Sequence, residues 1–120
     1  APHSIEEKSR GLKDSAMGIV GLETAFAALN THLVKKGIIT LERLVKIMSE
    51  NPRKVFRIEG GIEVGERADV VLLDVNKEWR VDSEKFYSMG KITMFDGTEM
   101  VGDVVMTLHR GEIVYDNKTK

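Results

Sequence analysis

Three histidines, at positions 3, 32 and 109, are the side chains in this 120-residue chain whose charge changes near neutral pH. His3 follows Pro2, whose ring restricts the backbone and so fixes where the imidazole points. From the residues alone His3 reads as a solvent-exposed histidine near a terminus, although an imidazole N–H can also donate to an anionic oxygen. His32 has Ala28 and Lys36 at the i±4 positions, so no second metal ligand shares its helical face, and a structural or surface role is expected. His109 stands beside Arg110-Gly111 in a predicted hairpin turn, again a surface position. With no cysteine there is neither a disulfide framework nor a thiolate zinc site. Gly11, Gly18 and Gly21 form no dinucleotide fingerprint, because no strand leads into them. From the residues alone Gly18 reads as a loop glycine, which would also permit close approach of a backbone. Glu23 is expected in a first helical turn, where the helix dipole favours a carboxylate. Asp69 and Asp74 bracket a strand and read as turn residues. The methionines read as core filling.

The elements that must position these groups fall into two textures. Residues 1–58 look helical and residues 61–116 look like strands. Ser4 and Glu7 have capping-box spacing and start a short helix. KSRGLKDSAMG, residues 8–18, reads as a surface loop long enough to be functional. Leu22, Ala25, Phe26, Leu29 and Leu33 then mark one apolar helical stripe ending near Gly37. Thr40 caps a second helix carrying Leu41, Leu44, Val45 and Met48, and Asn51-Pro52 starts a short third. After Gly60-Gly61 the period shortens. Residues 68–74 predict a buried strand and residues 78–81 a second. Residues 82–98 are irregular, and residues 104–108 and 112–115 flank the hairpin turn.

Lys plus Arg (18) balance Asp plus Glu (19), which argues against a nucleic-acid surface or a polybasic membrane anchor. No apolar run approaches transmembrane length, and cytoplasm is the default compartment. The architecture looks incomplete. Three amphipathic helices precede a few strands that cannot cover them, so the chain is expected to be part of a larger fold or to need a partner.

Taken in order, APHSIEEK, GIVGLETAF, ITLERLVKIMSENPRKVF, GGIEVGERADVVLLD and GDVVMTLHRGEIVYDN resemble the C-terminal part of bacterial dihydroorotases, of the amidohydrolase superfamily. The likeness covers essentially the whole chain. It implies an α/β fold with an added β part. Residues 1–58 would be the last loop and outer helices at the C-terminal end of a (β/α)8 TIM-like barrel. Residues 59–120 would be strands of a small composite β-sandwich. It also implies a zinc-dependent enzyme that reversibly cyclises N-carbamoyl-L-aspartate to L-dihydroorotate in pyrimidine biosynthesis. The family's catalytic Asp, in an Asp-His pair, would lie directly before Ala1. The ligands of two zinc ions would lie further upstream, so no catalytic or metal residue is expected within this chain. Alone, it is expected to be inactive and to hold no zinc.

The resemblance assigns substrate contacts to four residues. His3 would bind the dihydroorotate carboxylate. Met17 and Gly18 would lay backbone groups against the ring, and Ala1 would add a backbone contact. Ala16-Met17 departs from the family's more usual Pro and bulky residue before that glycine, and residues 91–97 depart from its Asn-Thr-Pro-Phe pattern. The expected partners are the small-molecule substrate, further copies of the chain and aspartate transcarbamoylase, with no nucleic acid and no membrane. Two other readings stay open. One is another cyclic amidohydrolase, a hydantoinase or allantoinase. The other is a non-catalytic dihydroorotase-like subunit that scaffolds aspartate transcarbamoylase.

Overall fold

A computed structural model describes residues 3–119. Helix α1 (Ile5–Lys8) is a single turn with a complete capping box. Ser4 Oγ accepts from the Glu7 amide at 3.2 Å, and Glu7 Oε2 accepts from the Ser4 amide at 2.8 Å. The segment expected to be plain loop contains a second one-turn helix, α2 (Gly11–Asp14), entered through Gly11 at φ +81°.

Helix α3 (Ala25–Leu29) continues into a π turn (Asn30–Val34), where the Lys35 amide reaches back five residues to Asn30 O. Leu22, expected on the apolar stripe, instead precedes the helix and is exposed. Helix α4 (Leu41–Val45) is capped by Thr40 Oγ1, which accepts from the Arg43 amide at 3.2 Å. It runs through a second π turn (Lys46–Glu50) directly into α5 (Asn51–Phe56). Asn51 is therefore helical, at φ −66° and ψ −46°, and is not the expected helix start. Pro52 has no N–H, and its ring crowds the carbonyl four residues back. The wide turn before it, closed by the Asn51 amide on Lys46 O, relieves that crowding. A connector running from Arg57 to Ala68, almost wholly exposed, then leads to the sheet.

The strands β1 (Val70–Arg80), β2 (Glu99–His109) and β3 (Glu112–Asp116) form an antiparallel sheet in the order β1-β2-β3. The two strands expected within residues 68–81 are one strand, interrupted by a bulge between Asp74 and Glu78. Asp74 Oδ1 holds the bulge by accepting from the Asn76 and Lys77 amides at 2.9 and 3.0 Å. The run Val71, Leu72 and Leu73 is not buried as expected; these residues are 50%, 45% and 36% exposed. Apolar composition marks it as a face that can be covered, but nothing among the described residues covers it.

The core lies where α3 meets β2. Ala27, Val81, Phe86 and Met100 are buried there, with Val20, Ala28, Trp79 and Phe95 packed around them. Each large apolar side chain so buried contributes about 2 kcal/mol. Of the methionines expected in the core, Met100 is there, whereas Met17, Met48, Met89 and Met94 are exposed.

Asn30 fastens helix to sheet. Fully buried at the π turn, it donates from Nδ2 to Val75 O at 3.1 Å and to Val101 O at 2.8 Å, one carbonyl in each strand. Thr31 Oγ1 accepts from the Val101 amide at 2.8 Å. Gly102, at φ +106°, lets Phe26 and Asn30 come this close.

The accessible surface is 9101 Å², against about 6500 Å² for a compact monomer of this mass. The radius of gyration, 16.4 Å, likewise exceeds the roughly 13.6 Å of a compact chain of this length. The exposed apolar side chains include Val45 of α4, Val55 and Phe56 of α5 and Val71 to Leu73 of β1.

Candidate functional site

A pocket of about 530 Å³ opens at the N-terminal end of the described chain. One wall is α1 and the residue before its cap, the second is the segment from Met17 to Leu22, and Ser88 and Ile92 supply the third. The structure thus brings together three residues singled out from sequence: His3, Met17 and Gly18. Ala1, the fourth, lies outside the described residues.

His3 is set by the turn beneath it. Its Nδ1 stands 3.6 Å from Glu7 Oε2, an ion pair whenever the ring is protonated. The Glu7 carboxylate is held below the usual range, first by the Ser4 amide and hydroxyl and then by the charge of His3. The capping box that starts α1 therefore also fixes the acid that faces the imidazole. Met17 and Gly18 are exposed, and Gly18 sits at φ +90°, a conformation that favours glycine.

Two residues that bind the walls together were not identified as such from sequence. Lys8 Nζ donates to Ala16 O at 2.6 Å and also to Gly18 O. Glu23, expected to serve only the helix dipole, accepts from the Tyr87 amide at 3.0 Å and the Ser88 amide at 2.9 Å. The Val20 amide donates to Ile92 O at 2.9 Å, joining the second and third walls. The partners of Lys8 and Glu23 are backbone groups, which carry no side-chain signature, so local pattern gave no signal for either contact.

Among the described residues, the ionisable groups lining the pocket are His3 and Lys8, and the Glu7 carboxylate faces His3. The imidazole and the ammonium are the groups there that can receive an anion. Ring amides can be met by the backbone at Met17 and Gly18, and apolar ring atoms by Ile19, Val20 and Ile92.

The other histidines stand apart. His32 is exposed and stacks on Phe95, with ring centroids 6.5 Å apart. His109 Nδ1 lies 3.1 Å from Asp69 Oδ1 at the hairpin. Asp69 also accepts from the Arg110 amide at 2.8 Å and pairs with Arg67 at 2.6 Å. It thereby grips the turn, in which Arg110 at φ 53° and Gly111 at φ 84° are left-handed. Among the described residues no three His, Asp or Glu side chains converge as a metal site. The described residues do not fit a metal ion. Nor is any described helix long and apolar enough to cross a membrane.

Comparison with known proteins gives a consistent result. The dihydroorotase of Bacillus cytotoxicus is 45% identical over 120 residues, covering 99% of this chain and 28% of that protein. The dihydroorotase of Anoxybacillus flavithermus is 48% identical over 116 residues, covering 96% of this chain and 27% of the relative. The chain thus spans little more than a quarter of the length of these relatives. Among solved structures, an L-hydantoinase (dihydropyrimidinase) from Arthrobacter aurescens superposes with a TM-score of 0.84 at 39% identity, over 93% of this chain and 26% of that one. The sequence pattern of the Amidohydrolase family matches residues 7–114. On the breadth of that match, the chain belongs to the amidohydrolase family.

Proposed function

We propose that the protein carrying this chain is a dihydroorotase, interconverting N-carbamoyl-L-aspartate and L-dihydroorotate. The observation that carries the reading is the placement of His3 and Lys8, the ionisable side chains in the described pocket lining, beside the Met17–Gly18 backbone. Both can donate to an anionic oxygen, which suits a ring that bears a carboxylate. Hydantoins and dihydropyrimidines without that carboxylate gain nothing from it. Identity of 42–48% to dihydroorotases, over 96–100% of the chain, supports the same choice.

In this reading His3 receives the substrate carboxylate, and the backbone at Met17 and Gly18 aligns the ring. Ala1 adds a backbone contact. These residues bind and orient, which accelerates the reaction by holding the amide in a reactive geometry. Residues 1–58 belong to the barrel and residues 59–120 to the sandwich, and the remaining protein covers the apolar faces of α4, α5 and β1. Zinc, implied by the family, would be held by residues outside this chain, as would the proton-transferring carboxylate. A cytoplasmic homo-oligomer, alone or with aspartate transcarbamoylase, fits the family.

The test is a side-by-side assay of the full-length protein on dihydroorotate, hydantoin and dihydrouracil. Dihydroorotate should have the highest kcat/KM, and His3→Ala should raise its KM at least tenfold. A higher kcat/KM for an uncharged ring would overturn the assignment in favour of a hydantoinase.

A further inference from the structure

We infer that Lys8 is a positioning residue whose ammonium group sets the substrate-facing backbone at Met17 and Gly18; this rests on the dihydroorotase reading above. The carbonyls of Ala16 and Gly18 converge on one nitrogen, Lys8 Nζ. Two carbonyl oxygens aimed at one point turn the negative ends of their dipoles toward each other, and that arrangement repels itself unless a cation sits between them. Lys8 is that cation, and a charge-assisted bond to each oxygen is about twice as strong as a neutral one.

The same segment returns to α1 through two further bonds. Ser15 Oγ donates to Lys8 O at 2.7 Å, and the Ala16 amide donates to Glu7 O at 3.1 Å. These stop at residue 16. Beyond it, the contact of Gly18 with Lys8 holds the segment where Gly18, at φ +90°, meets the pocket. Gly18 has no side chain to anchor it, and Met17 is 87% exposed. Backbone bonds fix the segment at Ala16, on Glu7 O, and at Val20, on Ile92 O, and between those two points Lys8 supplies the side-chain hold on the Met17–Gly18 backbone. With Nζ committed to two carbonyls, Lys8 adds positive potential to the pocket while shaping it through the loop. It also joins that loop to the helical turn whose Glu7 faces His3.

The experiment compares wild type, Lys8→Met and Lys8→Arg in the full-length protein. Lys8→Met keeps the length of the side chain and removes the cation. KM for dihydroorotate should rise about 10- to 100-fold, the loss expected when a hydrogen bond from a charged group is removed, with kcat changed less than about threefold. Lys8→Arg, which can still fork to two carbonyls, should recover most of that loss. In the ligand-free protein, chymotrypsin cleavage after Met17, beyond the bonds that Lys8→Met retains, should quicken at least tenfold in Lys8→Met and stay at the wild-type rate in Lys8→Arg. An unchanged KM in Lys8→Met, or a loss confined to kcat, overturns the positioning role. An unchanged cleavage rate overturns the clamp itself, whatever the kinetics. If wild type leaves dihydroorotate untouched, the dihydroorotase reading falls, and the cleavage comparison alone decides whether Lys8 holds the segment.

Discussion

A single methyl group at Gly102 tests how the helix is fastened to the sheet. An alanine Cβ there would lie 2.8 Å from Phe26 Cε1 and 2.9 Å from Asn30 Nδ2, closer than real Cβ contacts come. Neither neighbour can yield cheaply. The Phe26 ring lies between helix and sheet, and Asn30 is tied to a carbonyl in each of two strands. Alanine must also adopt φ +106°, at a cost of about 1–2 kcal/mol. Overpacking adds about 1–3 kcal/mol, so Gly102→Ala should cost about 2–5 kcal/mol. Gly111→Ala is the control. It has a positive φ of +84° but nothing within 4 Å, so it should show only the backbone cost of about 1–2 kcal/mol. Native-state hydrogen exchange on the full-length protein reads the difference. Protection of residues 99–104 and 27–31 should fall about 30-fold to several thousand-fold in Gly102→Ala. Equal losses in the two variants would show that packing at Gly102 contributes nothing, and the reasoning would fail.

Two further perturbations address the hairpin and the pocket wall. The Asp69 carboxylate is held below its usual range, chiefly by the Arg110 amide and then by Arg67 and His109. A depressed carboxylate stabilises the fold above its unfolded pKa of about 3.9, and that stability is lost as pH falls through the lower folded value. Asp69→Asn should therefore lower Tm at pH 7, and its Tm should decline less than that of wild type between pH 4 and pH 2.5; parallel curves would contradict this. Glu23→Ala removes the acceptor of the Tyr87 and Ser88 amides, so exchange at those two amides should quicken about tenfold while β2 stays protected.

What could be read from sequence followed local rules. The Ser4–Glu7 capping box, the Thr40 cap and the turn at Arg110-Gly111 each depend on residues a few positions apart, and each is present. Grouping His3 with Met17 and Gly18 came from family resemblance, because no local pattern joins residues 15 positions apart. The misreadings arose where distant groups decide. Asn51-Pro52 carries the signature of a helix start, but a preceding π turn lets the helix run through it. The bulge that makes one strand of residues 70–80 forms opposite Gly102, more than twenty residues away. The partners of Lys8 and Glu23 are backbone atoms, to which composition and periodicity are blind. The apolar composition of Val71–Leu73 predicts burial because it reports a capacity for burial, whereas exposure depends on what else is present.

The exposed connector from Arg57 to Ala68 bears on how the chain could be divided. The Asn30 contacts with Val75 and Val101, the Thr31 bond to Val101 and the Glu23 bonds to Tyr87 and Ser88 all cross from one side of the connector to the other. None of them uses a connector residue. A nick in this segment would leave the joint chemically whole and make its formation bimolecular, with only the effective concentration of the tether lost. Cut there, the two pieces should behave as those of a split reporter do, regaining the joint on meeting, and their dose dependence would measure the strength of the Asn30 joint without altering a residue in it.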